Sequence, residues 1–365
     1  MESTNPATKA APISDRARSR ETSNMHPPGQ TPCLGQRRCK VKHAKQSRLS
    51  RPGAAARVTR QTEGRRRPKP ETAMPYARLA AYLAPARARA EWLRSLIGLV
   101  LIAAFYWAAV IGALTLVQAL AGNVVLTAVM LELDRGGTAF GLVLVLTTFL
   151  PLVLGVLLVT RLLHRRSLSS LLGPGAMTDF LRVFVPLLPL VALIAATSAF
   201  DPNLGQSTPV SVLISWLPIA LPLLFMQIAA EELLFRGYLL QQIGARIRHP
   251  LAWMVLPAAL FGALHYAPGQ NGATAIFFAL WAMLFGCLAA DLTARAGNLG
   301  PALALHFANN ISAVLLIGLY GQLDGLALYT LVLNTRDPVA MAPYLALDAL
   351  AIVVFWLAAR LRLRR

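Results

Sequence analysis

From residue 96 to residue 360 the chain is a succession of long apolar segments, and nothing else in it limits the possible folds so tightly. A helix needs about 20 mostly apolar residues to cross a bilayer. Candidates lie near 96–120, 138–160, 180–199, 211–233, 251–267, 273–292, 299–319 and 341–360. The expected fold is all-α, a polytopic membrane protein with about eight transmembrane helices. The apolar piece 326–333 is too short to cross alone. Pro218 and Pro222 interrupt the fourth segment, which membrane helices tolerate when neighbours satisfy the freed carbonyls. Only 14% of the residues are charged, against roughly 25% in soluble domains, so an ordinary soluble protein is excluded. Three cysteines (Cys33, Cys39 and Cys287) exclude a disulfide scaffold.

The charge lies elsewhere. Residues 1–73 hold 17 Lys/Arg and 5 Asp/Glu, a net of +12 out of +19 for the whole chain. This stretch is rich in Ser, Thr, Pro and Gln and lacks an apolar period, which predicts a disordered basic tail. The tail could bind anionic lipid electrostatically, or be a passive topogenic segment, or fall outside the native product, since Met74 can serve as an alternative start. Without aromatic interleaving or a recognition motif, nucleic acid is not an expected partner. Residues 74–95 form a juxtamembrane segment ahead of the 96–365 domain.

Arginines in the connections set the orientation. The odd-numbered gaps carry Arg135 and Arg336 and little else. The even-numbered gaps carry Arg161, Arg165, Arg166 and Arg182, then Arg236, Arg246 and Arg248, then Arg295, and the chain ends with Arg360, Arg362, Arg364 and Arg365. Cytoplasmic loops are enriched in Lys/Arg, so both termini are expected in the cytoplasm of a plasma (inner) membrane protein. Cys33 and Cys39 would then be thiols, and Cys287 a small packing residue.

Ionisable residues inside spans are expensive and are functional candidates by default. Only His265 and His306 of the six histidines fall there, with Glu231, Glu232 and Asp348 among the acids. In Glu231-Glu232-Leu233-Leu234-Phe235-Arg236, Glu232 and Arg236 are four apart and can pair along one helix face. Glu231 points about 100° away, which leaves it able to face a cavity. A carboxylate in a poorly solvated site takes up a proton more readily, which suits a general base. The bland alternative is a structural ion-pair cluster. Phe261 and His265 are also four apart, so the ring can pack on the imidazole. His306 and Asn310 share a face and could polarise a carbonyl as an oxyanion site, or serve only as interhelical hydrogen bonders.

Taken in order, Glu231-Glu232…Arg236, Phe261…His265 and His306…Asn310 resemble the E-E-x-x-x-R, F-x-x-x-H and H-x-x-x-N/D signature of the CAAX protease and bacteriocin-processing (CPBP, or Abi) family of intramembrane proteases. The resemblance covers roughly residues 200–320. It implies a peptidase site in a membrane cavity, with Glu231 and His265 activating water, His306 and Asn310 stabilising the tetrahedral oxyanion, and Glu232, Arg236 and Phe261 in support. The bacterial-looking composition favours a peptide or membrane-protein segment at least as much as a prenylated CAAX substrate.

Two questions stay open at this level. Glu231, His265 and His306 would also make a His₂Glu zinc set with an open fourth position. No H-E-x-x-H helix is present, and the metal-free glutamate reading uses the same residues without an ion, so it is preferred. A transporter would also place Glu, His and Asp inside spans and would give Asp348 a role, as would a non-catalytic immunity-type membrane protein that retains the motifs. The depth of the groups poses a further problem. His265 lies 14 residues from Leu251, about 21 Å along a helix, whereas a fourth helix ending at 233 leaves Glu231 near the opposite end. The fourth helix is therefore expected to continue toward residue 243.

Overall fold

The computed structural model describes residues 76–364. The expectations for the basic tail, for Cys33 and Cys39 and for the Met74 start lie outside the described residues. Eight helices follow in the anticipated order: α1 (Trp92–Arg135), α2 (Ala139–Leu162), α3 (Ala176–Ser198), α4 (Val210–Gly244), α5 (Leu251–Leu264), α6 (Pro268–Ala296), α7 (Gly300–Leu316) and α8 (Pro338–Leu363). Six of them are long and apolar enough to cross a membrane, which makes this an integral membrane protein. The two shorter ones, α5 and α7, carry the His265 and His306 motifs. Buried residues run from Gly300 to Ala308 of α7, so that helix is shielded by protein and need not match the bilayer thickness.

Local chemistry sets the ends. Thr138 caps α2 by accepting from the Gly141 amide, and Asp337 caps α8 by accepting from Val339 and Ala340. Within α1 the helix breaks at Gly122, whose φ of 81° and ψ of 176° are available essentially to glycine alone. The break falls just past the expected limit of the first span. Pro218 and Pro222 leave α4 continuous.

The bundle closes around aromatic and small side chains. Phe180, Phe184, Phe225 and Phe307 interlock α3, α4 and α7, with ring centroids 5.2–5.6 Å apart between neighbours. Three short strands cap one end. β1 (Leu204–Gln206) runs antiparallel to β3 (Tyr329–Leu331), and β2 (Ile317–Leu319) runs parallel to β3, in the order β1-β3-β2. The apolar piece 326–333 thus contributes a strand to an otherwise helical fold.

The other end is closed by residues 76–90, where the sequence suggested only a juxtamembrane lead-in. A short helix (Leu79–Leu83) and a following turn bury Leu79, Tyr82, Leu83 and Ala86. Their hydrogen bonds tie the segment down: Tyr76 Oη to Asp291, Tyr82 Oη to the Leu171 carbonyl, Gln241 Nε2 to the Tyr82 carbonyl, and Arg246 Nε to the Ala90 carbonyl.

Candidate active site

The site is built where α4, α5, α6 and α7 meet. In α4 the two glutamates end the regular helix, and the chain widens into a π-helical turn over Leu233–Leu239. A second π turn (Ile311–Leu316) follows directly after Asn310 in α7, and a third (Leu251–Val255) opens α5. All three motif-bearing helices therefore depart from α geometry. Such turns are rare and occur frequently at functional sites.

Glu232 is the hub. It is fully buried, and its Oε1 accepts from Arg236 Nη1 at 2.8 Å and from His306 Nδ1 at 2.8 Å. The expected i,i+4 pair is present, and His306 joins it from α7. The Arg236 guanidinium lies against the Phe261 ring at 4.9 Å and the Phe285 ring at 5.6 Å. Aromatic faces offset part of the cost of burying this cation. Glu232 Oε2 and Arg236 Nη2 are buried and find no partner among the described residues. A buried acceptor and a buried donor left unmade in one cluster call for an explanation other than packing.

His306 has its tautomer fixed. With Nδ1–H given to Glu232, its Nε2 faces Glu231 Oε2 at 3.6 Å. The ring is wedged by Phe285, edge to face at 4.6 Å. Glu231 keeps some exposure, with 13% of its side-chain surface accessible, whereas Glu232 has none. The more open carboxylate is thus the one beside the free side of the imidazole.

His265 is the C-cap of α5 and is exposed. Its Nδ1 donates to the Phe261 carbonyl at 2.8 Å, which leaves the Nε2 lone pair available. The Phe261 ring packs on His265 at 4.5 Å, as the four-residue spacing predicts, and also stands 6.3 Å from the His306 ring. Phe261 therefore links the two imidazoles, and neither glutamate hydrogen-bonds His265. Asn310 donates from Nδ2 to Gln227 Oε1 at 3.2 Å and accepts from Asn309 Nδ2 at 3.2 Å.

The structure thus brings Glu231, Glu232, Arg236 and His306 into one cluster, puts Asn310 a turn further along α7, and sets His265 beyond Phe261. The zinc set of Glu231, His265 and His306 is not assembled: among the described residues no three His, Cys, Asp or Glu side chains converge as a metal would require. The donor set present does not fit a catalytic zinc.

The depth mismatch resolves. Since α4 runs to Gly244, Glu231 lies 13 residues from that end, about 20 Å, and His265 lies 14 residues from Leu251, about 21 Å. The two groups sit at the same level. Three contributors were not singled out in the sequence. Gln227 precedes Glu231 by one helical turn, so its spacing was a usable signal; Phe285 and Asn309 offered none.

Comparison with known proteins finds similarity over the same helices. Residues 213–312 match the family described as type II CAAX prenyl endopeptidase Rce1-like. This segment is similar to that family, and is called the Rce1-like segment below. It contains every motif residue described above, from Glu231 to Asn310. The chain is also similar to the uncharacterized protein YyaK of Bacillus subtilis (strain 168), at 28% identity over 182 residues. That alignment covers 47% of this chain and about three fifths (61%) of YyaK. No solved structure matches the chain. The Rce1-like segment spans α4 to α7, so the match ends where the four site-bearing helices end, and α1–α3, α8 and residues 76–90 frame it from outside.

Proposed function

We propose that the chain is an intramembrane endopeptidase that hydrolyses a peptide bond in a membrane-associated or peptide substrate. The observation that carries this reading is the line Glu232–His306–Glu231: a fully buried carboxylate orients an imidazole whose free nitrogen faces a second, more accessible carboxylate. In the reading, Glu231 takes a proton from water as the hydroxide bonds to the scissile carbonyl carbon. His265 offers its Nε2 lone pair from the exposed side and helps hold that water. Asn310 Nδ2 donates to the oxyanion, and His306 Nε2 joins it in the form in which that nitrogen also carries a proton. Glu231 then returns the proton to the departing amine nitrogen as the C–N bond breaks. Glu232 and Arg236 keep the imidazole oriented.

The orientation follows the arginines. An even number of helices puts Trp92 and Leu363 at one end, and Arg94, Arg161, Arg166, Arg246, Arg295 and Arg360 gather there. That end is proposed to face the cytoplasm of a plasma membrane protein.

The test uses the chain reconstituted in proteoliposomes. Glu231→Ala and His265→Ala should each abolish peptide release while circular dichroism stays unchanged. Cleavage that survives both changes overturns the assignment, and solute movement without peptide release would instead identify a transporter. Substrate trapping with Glu231→Gln, followed by mass spectrometry, would name the substrate.

A further inference from the structure

Arg336 stands against the charge pattern of the chain. It is the one cation in its gap, on the side that the orientation of the loops leaves poor in arginine. The structure gives it a use. α5 ends at Leu264, His265 is its C-cap, and α6 begins three residues later at Pro268. The first turn of α6 (Pro268–Asn271) breaks at Gly272, whose φ of 54° and ψ of −134° suit glycine. A turn that breaks there leaves carbonyls without the amides that would follow them. Arg336 satisfies two of these: its Nε donates to the Gln270 carbonyl at 3.2 Å and its Nη2 to the Gly269 carbonyl. Its Cβ and Cγ lie over the bare Cα face of Gly272, each 3.5 Å from where a Cβ would stand. Asn271, in the same turn, is buried and accepts from Gln322 Nε2 at 2.6 Å. Both partners are themselves fixed. The Arg336 amide donates to Asn334 Oδ1, the next residue, Asp337, caps α8, and Gln322 bridges to Leu319 of β2. His265, by contrast, is held from one side: its amide and Nδ1 bond back into α5, and its ring packs on Phe261. Where the imidazole stands relative to Glu231 therefore depends on how the chain leaves α5, and Arg336 and Gln322 fix that exit.

We propose that Arg336 and Gln322 are positioning residues for His265: together they latch the first turn of α6 and so hold the imidazole at the level of Glu231. The inference rests on the peptidase reading and adds to it two residues from outside the Rce1-like segment, which ends at residue 312. Neither acts on the reacting atoms. Glu232, Arg236 and His306 are kept in place by burial and by one another. His265 is exposed, and the latch supplies the constraint that burial gives the others. Displacing a catalytic group by about 1 Å costs about 10²-fold in rate, so a loosened turn four residues from His265 is enough to be felt. Arg336 is itself exposed, so replacing it costs the helical bundle little.

The full chain in proteoliposomes would be compared with Arg336→Gln, Arg336→Lys and the double variant Arg336→Gln/Gln322→Ala. Two readouts separate the latch from the chemistry. Amide hydrogen exchange over residues 264–274 should rise several-fold in Arg336→Gln, while exchange in α4 and α7 and the thermal midpoint stay unchanged. In the same variant kcat for peptide release should fall about tenfold at constant KM, and in the double variant about 10²-fold. Arg336→Lys keeps a charged donor and should recover most of the loss. Unchanged exchange over 264–274 in both Arg336→Gln and the double variant overturns the latch. Raised exchange with wild-type kcat reduces it to a structural clip and also overturns the proposal, as does a loss that falls on KM alone. If the unaltered chain releases no peptide, the peptidase reading fails, and the exchange measurement still decides the latch.

Discussion

The most consequential single residue is Glu232. It answers two buried donors at once, from Arg236 and His306, and removing it leaves a cation in the protein interior with only aromatic faces around it. Glu232→Ala should lower stability by about 3–5 kcal/mol, the usual cost of breaking a buried pair, and should abolish cleavage; thermal unfolding in detergent measures the first. Asn310→Ala is a cleaner probe of the oxyanion role. It should lower kcat by about 10²-fold with little change in thermal midpoint, whereas Gln227→Ala, one contact further out, should have a smaller effect. Because Phe261 stands between His265 and His306, chelation should leave the activity of purified protein unchanged, and elemental analysis should find no stoichiometric zinc. Glu231, Glu232, His265 and His306 were legible in the sequence because ionisable groups are conspicuous in apolar segments. Gln227 was passed over although its four-residue spacing from Glu231 was a usable signal, since a lone amide in such a segment carries a smaller penalty than a charge.

Elements set the level at which these residues meet. α4 reaches Gly244 instead of stopping near 233, because the stretch after the glutamates is buried on every side and is completed by the Tyr82 hydroxyl contacting the Arg236 carbonyl at 3.1 Å. α5 approaches α6 closely at Gly262: a Cβ there would stand 2.5 Å from the Ala279 carbonyl oxygen. Gly262→Ala should therefore push α5 outward and cut activity well below wild type even where the protein still accumulates in membranes. At the end of α2, His164 offers a pH test. Its ring contacts Tyr238 Oη and the Arg89 carbonyl, and burial lowers its pKa from the ordinary value. The folded state thus holds the neutral imidazole. As pH falls below about 6.5 the unfolded chain takes up a proton that the folded chain resists, so stability should decline with acidification. A thermal midpoint followed from pH 8 to pH 5 should fall more steeply for the native chain than for His164→Gln.

Over the whole molecule, residues 76–90 and the helices outside the Rce1-like segment form a frame. Leu79, Tyr82, Leu83, Ala86 and Ala90 are buried, so this lead-in is part of the fold. A chain begun at Met74 should keep the thermal midpoint and peptide release of the full chain. One begun at Trp92 should lose both, as judged by size-exclusion behaviour and cleavage in the same detergent. The sequence missed this contribution because Tyr76–Arg89 has neither the length nor the apolar character of a span, and burial by tertiary contact leaves no periodic trace in so short a stretch.

The sequence by itself determined the membrane class, the order of the eight helices and which polar residues are candidates for chemistry. Each rests on the same physical fact, that hydrocarbon penalises every polar group and makes both the apolar runs and their exceptions visible. Only the tertiary structure decided how those exceptions are used. It joined His306 to Glu232, set Phe261 between the two histidines, and left the zinc set unassembled. It also brought Gln227, Phe285 and Tyr82 to the site. Such choices depend on helix rotation, on π turns and on close approaches of a few ångströms between segments far apart in the chain, and a residue pattern along one helix contains no information about its neighbour.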